Sequence, residues 1–62
     1  MTVRVVLPLP LDQAYTYLVP EAMQAEARVG ARVLVPFGHR RLTGLIVEQT
    51  REEHLDGFIR LK

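Results

Sequence analysis

The stretch Ala31-Arg32-Val33-Leu34-Val35-Pro36-Phe37-Gly38-His39-Arg40-Arg41-Leu42-Thr43-Gly44-Leu45-Ile46-Val47-Glu48 decides the fold. Both of its ends are rich in β-branched residues, whose stiff side chains suit a pleated surface. Pro36 cannot donate to a β-ladder and is expected at a strand end or edge. Gly38 can adopt the positive φ that a tight reversal needs. The stretch therefore predicts a β-hairpin with a tip, residues 36–41, longer than a two-residue turn.

The same hairpin carries positive charge at its tip and a glycine in its second strand. His39, Arg40 and Arg41 place two fixed charges and one titratable group there. Gly44 predicts a bulge or a close approach by another backbone or a ligand.

The rest of the chain shows the same alternation of side chains between two strand faces, interrupted by Pro and Gly. The segment from Pro20 to Ala27 fits a single helical turn or an irregular loop, because it is short for a stable helix. Short strands separated by Pro and Gly predict an all-β fold, a small antiparallel barrel or curled sheet with a Pro-Phe-Gly hairpin. The predicted strands are residues 3–7, 14–19, 31–36, 42–49 and a last short strand from Phe58 to Leu61.

Size and composition set limits. The 62 residues form one domain, 1–62, and a chain this short has a small core. There is no cysteine, and the net charge of +1 is low for a protein that wraps a long stretch of nucleic acid. No apolar run approaches a membrane span and no signal peptide is evident, so we expect a cytoplasmic protein without a membrane partner. The apolar-basic C-terminus predicts the N-terminal part of a longer protein.

No catalytic or metal-binding motif is present, so we expect no enzyme, no metal site and no cofactor within this chain. The four glycines are too far apart for a phosphate loop. His39 and His54 have no further ligands at metal-binding spacing. Serine is absent, which removes a serine nucleophile.

Several residues have both a structural and a functional interpretation. Tyr15 and Tyr17 are either core residues of one strand face or rings that stack on a ligand. Gly38 serves either turn geometry alone or the close approach of a ligand. Arg40 and Arg41 are either solubilising charges or phosphate contacts. From these residues alone, the chain is a small β-domain with a possible ligand-binding tip.

Four segments together resemble one known family, the N-terminal 3′ DNA-binding domain of primosomal protein N′, the replication-restart helicase PriA. The resemblance covers almost the whole chain in order, and the combination is specific although each piece alone is weak. The segments are Val5-Val6-Leu7-Pro8-Leu9-Pro10-Leu11, Tyr15-Thr16-Tyr17-Leu18-Val19-Pro20, Val29-Gly30-Ala31-Arg32-Val33-Leu34-Val35-Pro36-Phe37-Gly38 and Gly44-Leu45-Ile46-Val47.

The resemblance implies recognition of the 3′-terminal nucleotide of the nascent leading strand at a stalled replication fork. It implies a pocket in which the family's aromatic-acidic-tyrosine triplet falls on Tyr15, Thr16 and Tyr17. The turn glycine falls on Gly38, and the pocket lysine falls on Lys62. Together with the charged tip, the expected DNA-binding residues are Tyr15, Thr16, Tyr17, Gly38, His39, Arg40 and Lys62.

Thr16 departs from the family pattern, in which many members have Asp. Threonine offers one hydroxyl, both donor and acceptor, and no charge. The departure bears on the strength and base preference of binding and not on the fold.

The resemblance also implies partners: DNA with a free 3′ end, forked DNA, the other domains of the parent helicase, primosome proteins and single-strand-binding proteins. The parent would use ATP, magnesium and zinc, whose motifs are not in this chain. The alternative function is a small β protein-interaction module that docks on another domain or partner through the hairpin and the proline-rich segment.

Overall fold

The computed structural model describes residues 1–10, 13–51 and 54–59. They form five strands and one 3₁₀ turn, Glu21–Met23. The sheet order is β3-β4-β1-β2-β5. The strands are β1 (Thr2–Val6), β2 (Ala14–Leu18), β3 (Arg32–Phe37), β4 (Arg40–Thr50) and β5 (Gly57–Phe58).

The all-β prediction is confirmed, and the first four strands lie within two residues of the predicted bounds. The sheet is mixed and not purely antiparallel, because β5 pairs with β2 in parallel, Tyr17 opposite Gly57 and Leu18 opposite Phe58. The predicted last strand over Phe58–Leu61 begins one residue earlier, and residues 60–62 lie outside the described residues.

The hairpin tip is shorter than predicted. Phe37 pairs with Arg40, so the turn contains only Gly38 and His39. Gly38 has a φ of 62°. Among the described residues, only glycines adopt a positive φ. Glycine at the first position of a two-residue loop matches the twist of the flanking strands. Pro36 has no N–H to donate and is therefore expected on an outer strand. It lies in β3, which is an outer strand of the sheet.

Alternation places one face of each strand in the core. Val3, Val5 and Leu7 are buried from β1 and its continuation, and Val33 and Val35 are buried from β3. The remaining buried hydrophobic residues include Tyr17, Val19, Met23, Ala27, Ile46 and Ile59. The outward residues Val6, Leu45 and Val47 are about two-fifths exposed, at 39%, 42% and 41%.

Gly44 marks a close approach between strands, one of the two possibilities that the sequence raised. A methyl carbon at this position would collide with Val5 Cγ1 and lie 2.9 Å from the carbonyl oxygen of Val6. The bulge itself lies nearby: Arg4 pairs with Glu48 but Val5 pairs with Ile46, which leaves Val47 as the extra residue of β4. Gly44 therefore lets β4 cross closely over β1.

The barrel nearly closes where β5 meets β3. Here the Tyr17 ring is fully buried and its hydroxyl donates a hydrogen bond to the carbonyl oxygen of Pro36 at 3.0 Å. A methyl carbon at Gly57 would lie 3.0 Å from Pro36 Cγ and 3.2 Å from Tyr17 Cε1. Tyr17, Pro36 and Gly57 thus form one packed layer, which we call the closure layer.

Burial raises the pKa of Tyr17 to about 12, and the negative charge of Asp56 and the neighbouring Tyr15 add to the effect. The phenol therefore keeps its proton at neutral pH and remains a hydrogen-bond donor to Pro36. A raised pKa in the folded state stabilises the fold fully below the ordinary value of 10.0. That contribution is lost as the pH rises through about 12.

We expect Gly44→Ala to lower the free energy of unfolding by about 1–3 kcal/mol, because overpacking forces β1 and β4 apart. Denaturant unfolding measures the change. Thr43→Ala, an exposed neighbour on the same strand, is the control and should change stability much less. A Gly44→Ala protein as stable as the parent would contradict the close strand approach.

We expect Tyr17→Phe to cost about 1 kcal/mol of stability, because the Pro36 carbonyl loses its partner while the ring stays in place. The variant should also lose less stability than the parent between pH 10 and pH 12, because it lacks the phenol whose pKa is raised. Denaturant unfolding at pH 7 and across that alkaline range measures both effects. An unchanged alkaline profile would mean that the Tyr17 phenol does not carry it.

Candidate nucleic-acid interface

One end of the barrel brings Tyr15 close to the cationic hairpin tip. Strand β2 enters the barrel at this end and β3 leaves it, so Tyr15 and Phe37 lie on the same side of the closure layer. Their ring centroids are 5.0 Å apart at an interplanar angle of 70°, an edge-to-face pair. We call this end, formed by Tyr15, Phe37, residues 38–40 and Asp56, the barrel mouth.

Tyr15 is half-buried, unlike Tyr17 two residues further along the same face. Its hydroxyl donates a hydrogen bond to Gln13 Oε1 at 3.1 Å near the surface. Leu9 and Leu42 are also partly buried against the core. The ring therefore has an apolar underside that is fixed by packing and a side that remains open to solvent.

The hairpin tip borders this aromatic pair. Gly38, His39 and Arg40 are exposed, and Arg40 is the cross-strand partner of Phe37. A methyl carbon at Gly38 would meet nothing within 4 Å. The space above the Gly38 backbone is therefore open, and a ligand can approach it there. Positive charge next to an aromatic surface is an arrangement that suits a nucleotide.

Thr16 is placed differently from its two neighbours. It lies on the other strand face, yet it is only 5% exposed. Its backbone N–H donates a hydrogen bond to Asp56 Oδ2 at 2.8 Å, and its carbonyl accepts one from the Asp56 N–H at 2.7 Å. These reciprocal bonds attach the segment before β5 to the edge of β2 and hold Asp56 beside the mouth.

The expected site residues therefore divide into groups. Tyr15, Gly38, His39 and Arg40 share the mouth, Thr16 lies just below it, and Tyr17 is a core residue with no exposed ring face. Lys62 lies outside the described residues.

Phe37 and Asp56 belong to the mouth but were not among the expected site residues. The alternation of Val33, Val35 and Phe37 could have indicated an inward ring at position 37. Nothing local marks Asp56, because its partner Thr16 is 40 residues away.

A concavity lies on the outer face of the sheet, away from the mouth, and none of the expected site residues lines it. Its volume is about 370 Å³. Its lining is mostly aliphatic, with Arg32 and Thr43 as the polar residues and no aromatic residue. The lining residues are Val6, Leu7, Pro8, Arg32, Thr43, Gly44 and Leu45. We call it the outer groove.

Within residues 1–10, 13–51 and 54–59, no group of three or more His, Cys, Asp or Glu side chains could hold a metal ion. No helix in this part of the chain is long and apolar enough to cross a membrane.

The chain is similar to a known protein family and to proteins named replication restart protein PriA. Residues 4–62 match the family model described as the 3′ DNA-binding domain of PriA. The chain is 41% identical over 51 residues to the replication restart protein PriA of Treponema pallidum (strain Nichols), covering 82% of this chain and 8% of that protein. It is 35% identical over 54 residues to the replication restart protein PriA of Buchnera aphidicola subsp. Acyrthosiphon pisum (strain APS). That match covers 87% of this chain and 7% of the relative. No solved structure gives a significant match.

The family match spans all five strands except the first two residues of β1, and it includes the whole barrel mouth. The chain spans less than a tenth of the length of these two relatives. The chain belongs to the family of PriA 3′ DNA-binding domains.

Proposed function

We propose that this domain binds the 3′ end of a DNA strand at the barrel mouth. In the parent protein it would recognise the nascent leading strand at a stalled replication fork during replication restart. The observation that supports this most is the half-buried Tyr15–Phe37 pair, which opens beside the bare backbone of Gly38 and the cationic tip.

The size and charge of the mouth suit one terminal nucleotide. An unpaired base can stack on the exposed side of the aromatic pair, since every base has a π-face. The absence of a side chain at Gly38 leaves room for the sugar. His39 and Arg40 can contact the last phosphate groups. A net charge of +1 is compatible with one or two phosphate contacts, whereas a long backbone track needs a larger positive excess.

The remaining expected residues act in other ways. Tyr17 supports the mouth from the closure layer beneath it. Thr16 contributes through its backbone bonds to Asp56, because its side chain is largely buried. Lys62 is proposed as a further phosphate or sugar contact on the resemblance alone.

We also propose the context of the domain. In a longer, cytoplasmic parent, the other domains would supply an ATP-dependent helicase that uses magnesium and zinc, while this chain holds no cofactor and catalyses no reaction. Forked DNA, the other helicase domains, primosome proteins and single-strand-binding proteins are the proposed partners.

One observation favours the alternative function, a protein-interaction module. The outer groove is aliphatic, includes Pro8, and is flanked by the exposed side chains of Val6 and Leu45. These features suit docking to another domain better than to a base, because they offer no stacking surface. The groove and the mouth are separate surfaces, so variants can test them independently.

We expect the domain to bind single strands or forks with a free 3′-hydroxyl more tightly than the same DNA with a 3′-phosphate. The added group brings bulk and about −1.5 to −2 charges into the mouth. Fluorescence anisotropy titration at fixed salt measures both affinities, with 5′-phosphate DNA as the control. Equal affinity for the two 3′ ends would contradict end recognition.

We expect Tyr15→Ala to weaken 3′-end binding by about 1–3 kcal/mol, because the stacking surface is removed. Leu45→Ala in the outer groove is the matched control and should leave DNA binding unchanged. Thermal melting of both variants identifies any loss due to unfolding. Unchanged DNA affinity in a folded Tyr15→Ala protein would place the binding site elsewhere.

A further inference from the structure

Among the residues that the structure describes, Asp56 is the acidic residue of the barrel mouth. In the closure layer, Gly57 lies against Pro36 and Tyr17. Because β5 runs parallel to β2 and antiparallel to β3, the residue before Gly57 lies on the side of Tyr15 and Phe37. Asp56 is exposed there.

The other described carboxylates are located elsewhere. Glu48 faces Arg4 on the neighbouring strand, with 3.7 Å between Arg4 Nε and Glu48 Oε2. Glu21 and Glu26 follow the opposite end of β2.

The Asp56 carboxylate is held in a fixed orientation. Oδ2 accepts the Thr16 N–H at 2.8 Å, and the Asp56 N–H donates to the Thr16 carbonyl at 2.7 Å. Oδ2 is therefore occupied by the backbone, and the Asp56 residue as a whole is exposed to solvent at the end of β5 that lies beside the mouth. The influence of this charge on the Tyr17 phenol supports its closeness to the aromatic residues.

We infer that Asp56 determines which 3′ terminus the mouth accepts: its exposed carboxylate accepts the hydrogen bond of a terminal 3′-hydroxyl, and its charge repels a terminal phosphate. This inference rests on the proposed function. An ionised carboxylate only accepts hydrogen bonds, so it pairs with a hydroxyl and opposes an anion. Asp56 thus balances the cationic tip, which would otherwise favour any added phosphate.

The substitution Asp56→Asn separates this charge from the backbone bonds. Asparagine Oδ1 can accept the same hydrogen bond from the Thr16 N–H. Its NH₂ group then takes the position of the other carboxylate oxygen of the parent. The rim then presents a donor where the parent presents an acceptor. Melting should stay close to that of the parent, while the preference for a 3′-hydroxyl over a 3′-phosphate should become weaker.

The experiment uses one oligonucleotide with three termini: 3′-hydroxyl, 3′-hydrogen and 3′-phosphate. For the parent we expect 3′-hydroxyl to bind about tenfold more tightly than 3′-hydrogen, because one charge-assisted hydrogen bond is lost. The 3′-phosphate should bind more weakly again. Asp56→Asn should lose the advantage of the hydroxyl over hydrogen and bind the phosphate more tightly than the parent does. Glu21→Gln, which removes a charge far from the mouth, is the control and should behave like the parent.

The outcomes separate this inference from the proposed function. If the parent binds no 3′ end, or does not distinguish hydroxyl from phosphate, the proposed function fails and this inference fails with it. If the parent distinguishes them and a folded Asp56→Asn protein does so equally, only the inference is overturned. If Asp56→Asn does not fold, the affinities of the parent for the 3′-hydrogen and 3′-hydroxyl oligonucleotides test the inference. Equal affinities would overturn the role of the carboxylate.

Discussion

The structure depends on the buried Tyr17 side chain. Its ring fills the space between β2, β3 and β5, and its hydroxyl satisfies the carbonyl of Pro36 on an outer strand. Without this bond the partly buried carbonyl would lose its hydrogen-bond partner, at a cost of about 1 kcal/mol. The nearly closed barrel follows, because Gly57 has no side chain to separate the ring from Pro36. In a chain of 62 residues, one such layer is a large part of the core.

Strand alternation made much of this fold predictable. Val3, Val5 and Leu7 repeat with the period of a strand, and the first four strands lie close to their predicted bounds. The residues between Pro36 and Arg41 did not indicate how far strand pairing extends toward the hairpin tip, and Phe37 in fact pairs with Arg40. Sequence also could not show the bulge at Val47 or the parallel pairing of β5, because both are set by contacts distant along the chain.

The candidate site was predictable to a different degree. Tyr15 and Gly38 were identified from residue type and resemblance, and the structure brings them to the same end of the barrel. Alternation could not distinguish Tyr15 from Tyr17, since both face inward on β2. Their difference in exposure arises because β2 enters the barrel at Tyr15, so only the second ring is covered on all sides. Asp56 was hidden from sequence reasoning by its 40-residue separation from Thr16.

The different positions of Tyr15 and Tyr17 on one strand explain how so small a domain can combine stability with binding. A single strand carries Tyr17, which closes the core, and Tyr15, which remains partly open at the mouth. The Thr16 backbone between them is bonded to Asp56 and fixes the position of the mouth's acidic group. Because each function falls on a different residue of one rigid strand, the mouth is preorganised by the same contacts that stabilise the barrel. Preorganisation lowers the ordering cost of binding, which matters for a surface proposed to contact only one or two nucleotides.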